Sequence, residues 1–517
     1  MTRSSHLPQQ GLTQPRRGRW RRRLVAAVAV LVAVPAITIA ILAGLWVDRP
    51  VHTEIAEFDR PLAIPPLADS RVEDGRRVFD LTAAEGTTDF GEGRKARTWG
   101  FNGSYLGPTL RAERGEEVQV NVTNDLSEST SVHWHGHHLP AEMDGGPHQA
   151  VGPGESWSPH WQIDQPAATT WYHPHPHGET ADHVHRGLAG MFILDDPDND
   201  PGGLPSEYGV DDVPLIVQDR SFGSDGGFDD GEPMFTSVGF LGETILANGT
   251  VDAHHEVTTE LVRLRILNGS NGRVYNFGMD DDREILQIAS DGGLLPEPHP
   301  TRRVQLSPGE RAEVVVRMEP GETAVLHSYQ PDLGTDPWTS RFSGGGDTFD
   351  ILQLRAADRL EESAEVPDEL ADAPDLDPGE ASQTRTFRLG GSNINGEKMD
   401  MDRIDEVVEV GATEIWEVTN PGNTPHNFHV HDVQFRVLDI DGREPEAPLS
   451  GWKDTVYAEP GTTMRLALRF TDYTDPDFPY MFHCHVLRHE DRGMMGQFVV
   501  VEPGQESGEP PSSHAGH

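Results

Sequence analysis

Four His-x-His pairs stand out in the chain: His133-Trp-His135, His173-Pro-His175, His429-Val-His431 and His483-Cys-His485. On a β-strand, residues i and i+2 share a face, so each pair sends two imidazoles to one side. Neutral imidazole is a borderline-soft donor suited to copper, zinc and iron. A lone histidine on a sheet is more often a packed residue than a ligand. Four pairs among 25 histidines, two near each end of the chain and none between, reverse that weighting. The split implies a metal cluster closed jointly by an early and a late part of the protein.

The single cysteine lies inside the last pair. Cys484 is followed by His489 and Met494, and His426-Asn-Phe-His429-Val-His431 adds another imidazole upstream. Two imidazoles, a thiolate and a distant thioether form the donor set of a blue-copper electron-transfer site. The bland alternative is a buried free thiol, which in an exported protein is open to oxidation unless a metal holds it. Strand alternation turns Cys484 one way and His483 and His485 the other, so a few covalent bonds join two metal sites. Such wiring suits a collector of single electrons feeding a multi-electron sink.

The elements that carry these residues read as strands. A length of 517 residues corresponds to about three domains. With 54 Gly and 40 Pro, the chain favours short strands and turns over helical bundles. Period-two runs recur, as in Glu117–Val122, Leu261–Leu267 and Arg465–Phe470. Segments opening at Gly115-Glu, Gly309-Glu and Gly411-Ala-Thr-Glu each run into such a strand, as expected of one sandwich unit used three times. The expected fold is all-β, with sandwich domains at 51–200, 201–356 and 384–502. An acidic Ala/Pro-rich linker fills 357–383, with room for a short helix, and a disordered tail fills 503–517. The tail's terminal Ser-Ser-His-Ala-Gly-His is read as a loose end rather than a copper ligand.

Seven arginines and no acid occupy residues 1–23, among them Arg3 and the pair Arg16-Arg17, and Leu24–Val47 carries no charge. Such a run exceeds the apolar core of a signal peptide and is long enough for a bilayer. It reads as a retained anchor with its arginines on the cytoplasmic side. The alternative is a cleaved, twin-arginine-type signal; either way the remainder is exported. The net charge of −44 excludes nucleic acid as a partner and favours a soluble monomer. Membrane contact is expected through residues 1–50 only. Lysines number only three: Lys95, Lys398 and Lys453.

The runs His133-Trp-His-Gly136, His173-Pro-His-Pro-His-Gly178, His426-Asn-Phe-His-Val-His431 and His483-Cys-His-x3-His489-x4-Met494 resemble the four copper motifs of multicopper oxidases. Connecting stretches such as Met143-Asp-Gly-Gly-Pro147 and Gly451-Trp-Lys-Asp-Thr-Val456 resemble the bacterial copper-efflux oxidase and bilirubin oxidase branch. The resemblance implies three cupredoxin-like Greek-key β-sandwiches and four copper ions. By motif position, a type 1 copper takes His426, Cys484, His489 and axial Met494, with Met495 as the other axial candidate. A type 2 copper takes His133 and His431. A type 3 pair takes His135, His173, His175, His429, His483 and His485. Asp144 and Glu490 match the family's proton donors, and His177 is expected to back a ligand imidazole. His137-His138 and His183-Val-His185 receive no role.

The resemblance further implies one-electron oxidation of a small reducing substrate coupled to reduction of O2 to water. No Met falls between Met318 and Met399, so the thioether-rich relay of a dedicated cuprous oxidase is absent there. Open access to His426 would suit phenols and aromatic amines, as in laccases. A cuprous- or ferrous-ion oxidase serving metal tolerance is the alternative. The cell-division relatives that keep this fold without copper ligands are set aside, since all ten histidines, Cys484 and Met494 are present.

Overall fold

The computed structural model describes residues 17–48, 51–54, 56–374 and 376–511. They belong to two compact units, residues 1–50 and 51–517. In the first, Arg17–Asp48 is one α-helix, and its segment Trp20–Val47 is long and apolar enough to cross a membrane. A helix pairs its backbone polar groups internally, which a bilayer core requires. Arg3 and Arg16 lie outside the described residues.

The second unit folds into six sheets, two for each of three sandwiches. In the first sandwich, Glu117–Asn124 buries Val118, Val120 and Val122 while the residues between them stay half-exposed. That period-two burial packs its sheet on a four-stranded sheet that carries His133–His135 and Ala168–His173. Those two strands pair antiparallel with His133 opposite His173. The third sandwich repeats the device: His426–Val430 pairs antiparallel with Tyr480–His483, and His429 stands opposite His483. In the middle sandwich, Leu261–Asn268 runs parallel to Asp212–Arg220 and antiparallel to Arg311–Arg317, over a core that includes Leu264, Tyr275, Phe277 and Leu352.

Each of the three recurring turns sits on a glycine in the left-handed region, Gly115 at φ 91°, Gly309 at φ 84° and Gly411 at φ 81°, where a Cβ is disfavoured. The strand Thr348–Glu361 carries regular structure into the segment read as linker. The short helix allowed for there does not form. Between residues 362 and 382 the only regular piece among the described residues is the 3-10 turn Pro378–Glu380, because Pro367, Pro374 and Pro378 interrupt any helical ladder. In the tail, the Gly508 amide donates to the Pro476 carbonyl, while residues 512–517 lie outside the described part.

Candidate metal centre

The strand pairs of the first and third sandwiches bring eight imidazoles together, all at most 1% exposed. Rings stack in cross-sandwich couples, His133 on His431 and His135 on His429, each with centroids 3.8 Å apart. The hydrogen bonds at their outer nitrogens fix which nitrogen is free. His431 Nδ1 donates to Asp144 Oδ2 at 2.7 Å, so its Nε2 carries a lone pair. His483 Nδ1 donates to the Cys484 carbonyl at 3.3 Å, so its Nε2 does too. These two Nε2 atoms lie 3.2 Å apart, and His175 Nε2 is 3.2 Å from the same His483 nitrogen. His173 Nδ1 donates to the Pro174 carbonyl, and its Nε2 faces His485 Nε2 at 3.4 Å.

Lone pairs aimed at one another in a dry cavity repel unless a cation lies between them. Protons do not fill that role. Burial, followed by the neighbouring rings, pushes His135, His173, His429 and His431 well below the usual imidazole range. Burial also takes His175 down to about 4 and His485 to about 3. His133 Nε2, His135 Nδ1 and His429 Nε2 are buried without any hydrogen-bond partner. The outer nitrogens of these three are held by the Asp144 carbonyl (3.0 Å), by Asp454 Oδ1 (2.9 Å) and by the Asp454 carbonyl (2.9 Å). A donor set of neutral imidazoles fixed from behind fits first-row metal ions.

His175, His431 and His483 form one three-nitrogen set. His133 shares another with both His429 and His431, and it stacks on His431 with centroids 3.8 Å apart.

On the other side of Cys484, His426 Nδ1 and His489 Nδ1 each lie 3.6 Å from the thiol sulfur and 3.1 Å from each other. Three donors placed around one ion, with nitrogen at about 2.0 Å and thiolate at about 2.3 Å, give nitrogen–sulfur separations of about 3.7 Å. Burial pushes the Cys484 thiol up to about 12, so the thiolate form needs a cation beside it. Met494 is fully buried in the apolar cluster that also contains Cys484. Met495 lies in the next strand opposite His483. Asn427, between His426 and Phe428, accepts from the thiol at 3.6 Å and from the His485 amide at 2.6 Å.

Access differs from expectation. His426 is 1% and His489 2% exposed, and His489 Nε2 donates to the Ser237 carbonyl at 2.6 Å. His426 is therefore closed to solvent, and the middle-sandwich segment that meets His489 carries Met234 and Phe235, 70% and 50% exposed. Phe235 meets Phe342 edge-on at 5.7 Å and Trp338 at 6.2 Å.

Asp144 and Glu490 are both buried beside the imidazoles. Glu490 Oε2 is 3.2 Å from His483 Nδ1, and its Oε1 is 3.6 Å from His175 Nδ1. Burial pushes the Glu490 carboxyl up, but His175 and His483 outweigh it and hold the group well below the usual carboxylate range. His177 is exposed and backs no ligand ring. His137 Nε2 meets Thr170 Oγ1 at 2.8 Å. His138 lies between Asp432 and Asp472 at 2.8 and 2.6 Å.

Sequence reading missed Asp454 and Arg311. All five N–H donors of Arg311 are placed. They bond to the Thr169 carbonyl of the first sandwich, the Gly309 and Asp291 carbonyls of the middle one, and both oxygens of Asp454 in the third, at 2.6–3.1 Å. Lys453, one of three lysines, is buried against Asp291 and Glu310. Only the repeated Gly-Glu turn preceding Arg311 hinted at this position.

Two family models described as multicopper oxidase match residues 82–199 and 365–504. A multicopper oxidase of Staphylococcus haemolyticus is 33% identical over 85% of this chain and 92% of its own length. A cell division protein FtsP of Sodalis glossinidius is 35% identical over 93% and 98%. A laccase-like multicopper oxidase, CueO, from an Ochrobactrum species, with oxidase activity towards lignin model compounds, superposes with TM-score 0.77 at 38% identity. That match covers 85% of this chain and all of the other. The chain belongs to the multicopper oxidases, copper-dependent oxidoreductases with O2 as acceptor.

Proposed function

We propose a laccase-type oxidase that takes single electrons from phenolic or aromatic donors at a type 1 copper and reduces O2 to water at a trinuclear copper cluster. His426, Cys484, His489 and axial Met494 hold the type 1 ion. His133 and His429 hold type 2. His135, His173 and His485 hold one type 3 ion, and His175, His431 and His483 the other. Four ions in all, a monomeric exported catalytic part and membrane contact only through Arg17–Asp48, as anchor or signal, complete the reading.

Bound copper supplies one-electron redox chemistry, and as a cluster the four electrons that turn O2 and four protons into two waters. The protein's part is positioning and proton delivery. Cys484 joins the two centres through its neighbours His483 and His485, so an electron crosses few bonds. Asp144 Oδ1 and both Glu490 oxygens are buried against ligand imidazoles, Asp144 Oδ1 3.3 Å from His133 Nδ1 and Glu490 Oε2 3.2 Å from His483 Nδ1. They are the atoms placed to hold and pass protons beside the cluster. Buried Trp171 stacks on His173 at 4.1 Å and keeps bulk water from that side.

The observation that carries the donor class is the aromatic cap. Phe235 lies two residues before Ser237, whose carbonyl receives His489, and meets Trp338 edge-to-face at 6.2 Å. A planar phenol stacked there loses one electron through the His489–Ser237 contact and its proton to water. Phe235→Ala is expected to raise KM for 2,6-dimethoxyphenol about tenfold, in line with the 1–1.5 kcal/mol of an aromatic pair, and to leave O2 uptake with Cu(I) unchanged. Equal loss with both donors would reject the aromatic reading. Exposed Met234, a soft donor on the same cap, favours the second reading, a cuprous- or ferrous-ion oxidase in metal tolerance. Met234→Leu impairing Cu(I) oxidation alone would support it.

A further inference from the structure

His183 plays no part in the copper cages, yet its Nε2 is buried with no hydrogen-bond partner. The other nitrogen, Nδ1, lies 3.1 Å from Thr130 Oγ1, whose own hydrogen points to the Ser131 carbonyl. Nδ1 therefore keeps the proton and Nε2 keeps a lone pair. That lone pair faces two carboxylates, Glu128 Oε1 at 3.5 Å and Glu179 Oε2 at 3.9 Å. Acceptors facing acceptors require a cation. Burial lowers His183 to about 4, so at neutral pH the imidazole is not itself that cation. The Glu128 carboxyl is pushed up, first by burial and then by Glu179, Asp182 and Glu85. Arg186 lies over the Trp99 ring at 4.9 Å and 3.5 Å from Asp182; its charge offsets part of the rise at Glu128 and helps lower His183, but it makes no hydrogen bond to His183 Nε2.

We propose that His183, Glu128 and Glu179 bind a divalent first-row cation at a site that shares no residue with the copper centres. One imidazole and two carboxylates form a borderline-to-hard donor set, suited to Zn2+ or Mn2+ and unsuited to Cu(I). Ligands around a tetrahedral zinc lie about 3.4 Å apart, within reach of the distances found. The glutamates, with side chains 50% and 61% exposed, can close the remainder and leave room for water. The ion would clamp the loop after strand Glu117–Asn124 to Glu179, the residue that precedes helix Thr180–Arg186.

The test is calorimetric titration of ZnCl2 into the copper-loaded full-length protein, with zinc-edge X-ray absorption on the product. One zinc per chain with a single imidazole in its shell is expected, and at least tenfold weaker binding in the Glu128→Gln/Glu179→Gln double variant. Both substituted positions are surface-exposed, so that variant keeps its fold even if His183→Gln does not. Zinc affinity unchanged in the double variant, a shell without imidazole, or no binding by the parent protein would each overturn the site.

Discussion

The terminal sandwiches and the middle one divide the work unequally. The terminal pair supply every imidazole of the cages and the thiol. The middle sandwich supplies no His-x-His pair, yet it touches the site at several backing points. Arg311 grips Asp454, which holds His135. The Ser237 carbonyl takes His489. Ser307 and the Pro308 carbonyl accept from Asn427, the residue beside the thiol. Asn271 takes the Leu487 amide with its carbonyl and donates its side chain to the Ala181 carbonyl. The ligands thus lie on two bodies, while much of their orientation is fixed by a third.

Removing a donor should act on chemistry, and removing a clamp on stability. Cys484→Ser tests the first at its extreme. Serine keeps the volume but offers no soft thiolate, so the blue absorption and donor oxidation should vanish while the thermal unfolding midpoint of the copper-free protein shifts by less than a few degrees. Turnover surviving in that variant would place electron entry elsewhere.

Arg311→Met tests the second. It leaves Asp454 buried and unpaired beside two ligand histidines, a change that costs about 3–5 kcal/mol when one partner of a buried pair is lost. The urea midpoint should fall accordingly and bound copper should fall with it. A loss below 1 kcal/mol would mean that the three sandwiches hold together without the clamp.

The ligand histidines were legible because chemistry imposes spacing. A strand places i and i+2 on one face, so paired imidazoles betray their purpose in the sequence itself, as does the lone cysteine between two of them. What backs them was not. Asp454 and Arg311 lie 143 positions apart and look like any acid and base in an acidic chain. Only tertiary packing selects them from the 85 acidic and 41 basic residues. The grouping of His133 with His429 and His431 is silent in the pattern for a related reason: periodicity says which face a ring takes, not which partner it meets across an interface. The cover on His489 escaped notice because the Ser237 carbonyl that meets it lies 252 positions earlier in the chain, a long-range contact with no local signature.

Acid reaches the middle sandwich through Glu313. Burial pushes Glu313 up, but Arg263 and Arg265, at 2.7 and 2.9 Å, outweigh it and take the carboxyl from its ordinary 4.5 to about 2. A carboxyl held below its unfolded value stabilises above that value, and the contribution is lost as pH falls through the folded one. Between pH 4.5 and pH 2 the loss is about 3 kcal/mol. Stability measured across that window should therefore drop more steeply in the parent than in Glu313→Gln. Parallel curves would show that the group contributes nothing.

The finest contrast lies in the recurring glycine turn, one backbone shape in three settings. A Cβ at Gly115 or Gly411 would meet nothing within 4 Å, whereas at Gly309 it would lie 3.0 Å from the His485 ring. Alanine at the first and last positions should cost only left-handed strain, about 1–2 kcal/mol each, with copper content unchanged. At Gly309 the same strain is joined by pressure on a ring whose Nε2 must keep its 3.4 Å approach to His173. The ring can yield only by turning away from the cage. Gly309→Ala should therefore lower copper occupancy of the cluster at similar thermal stability, read by metal analysis beside the unfolding midpoint. If all three alanine variants lose stability equally and none loses copper, the middle turn is a spacer and its closeness to His485 has no bearing on the site.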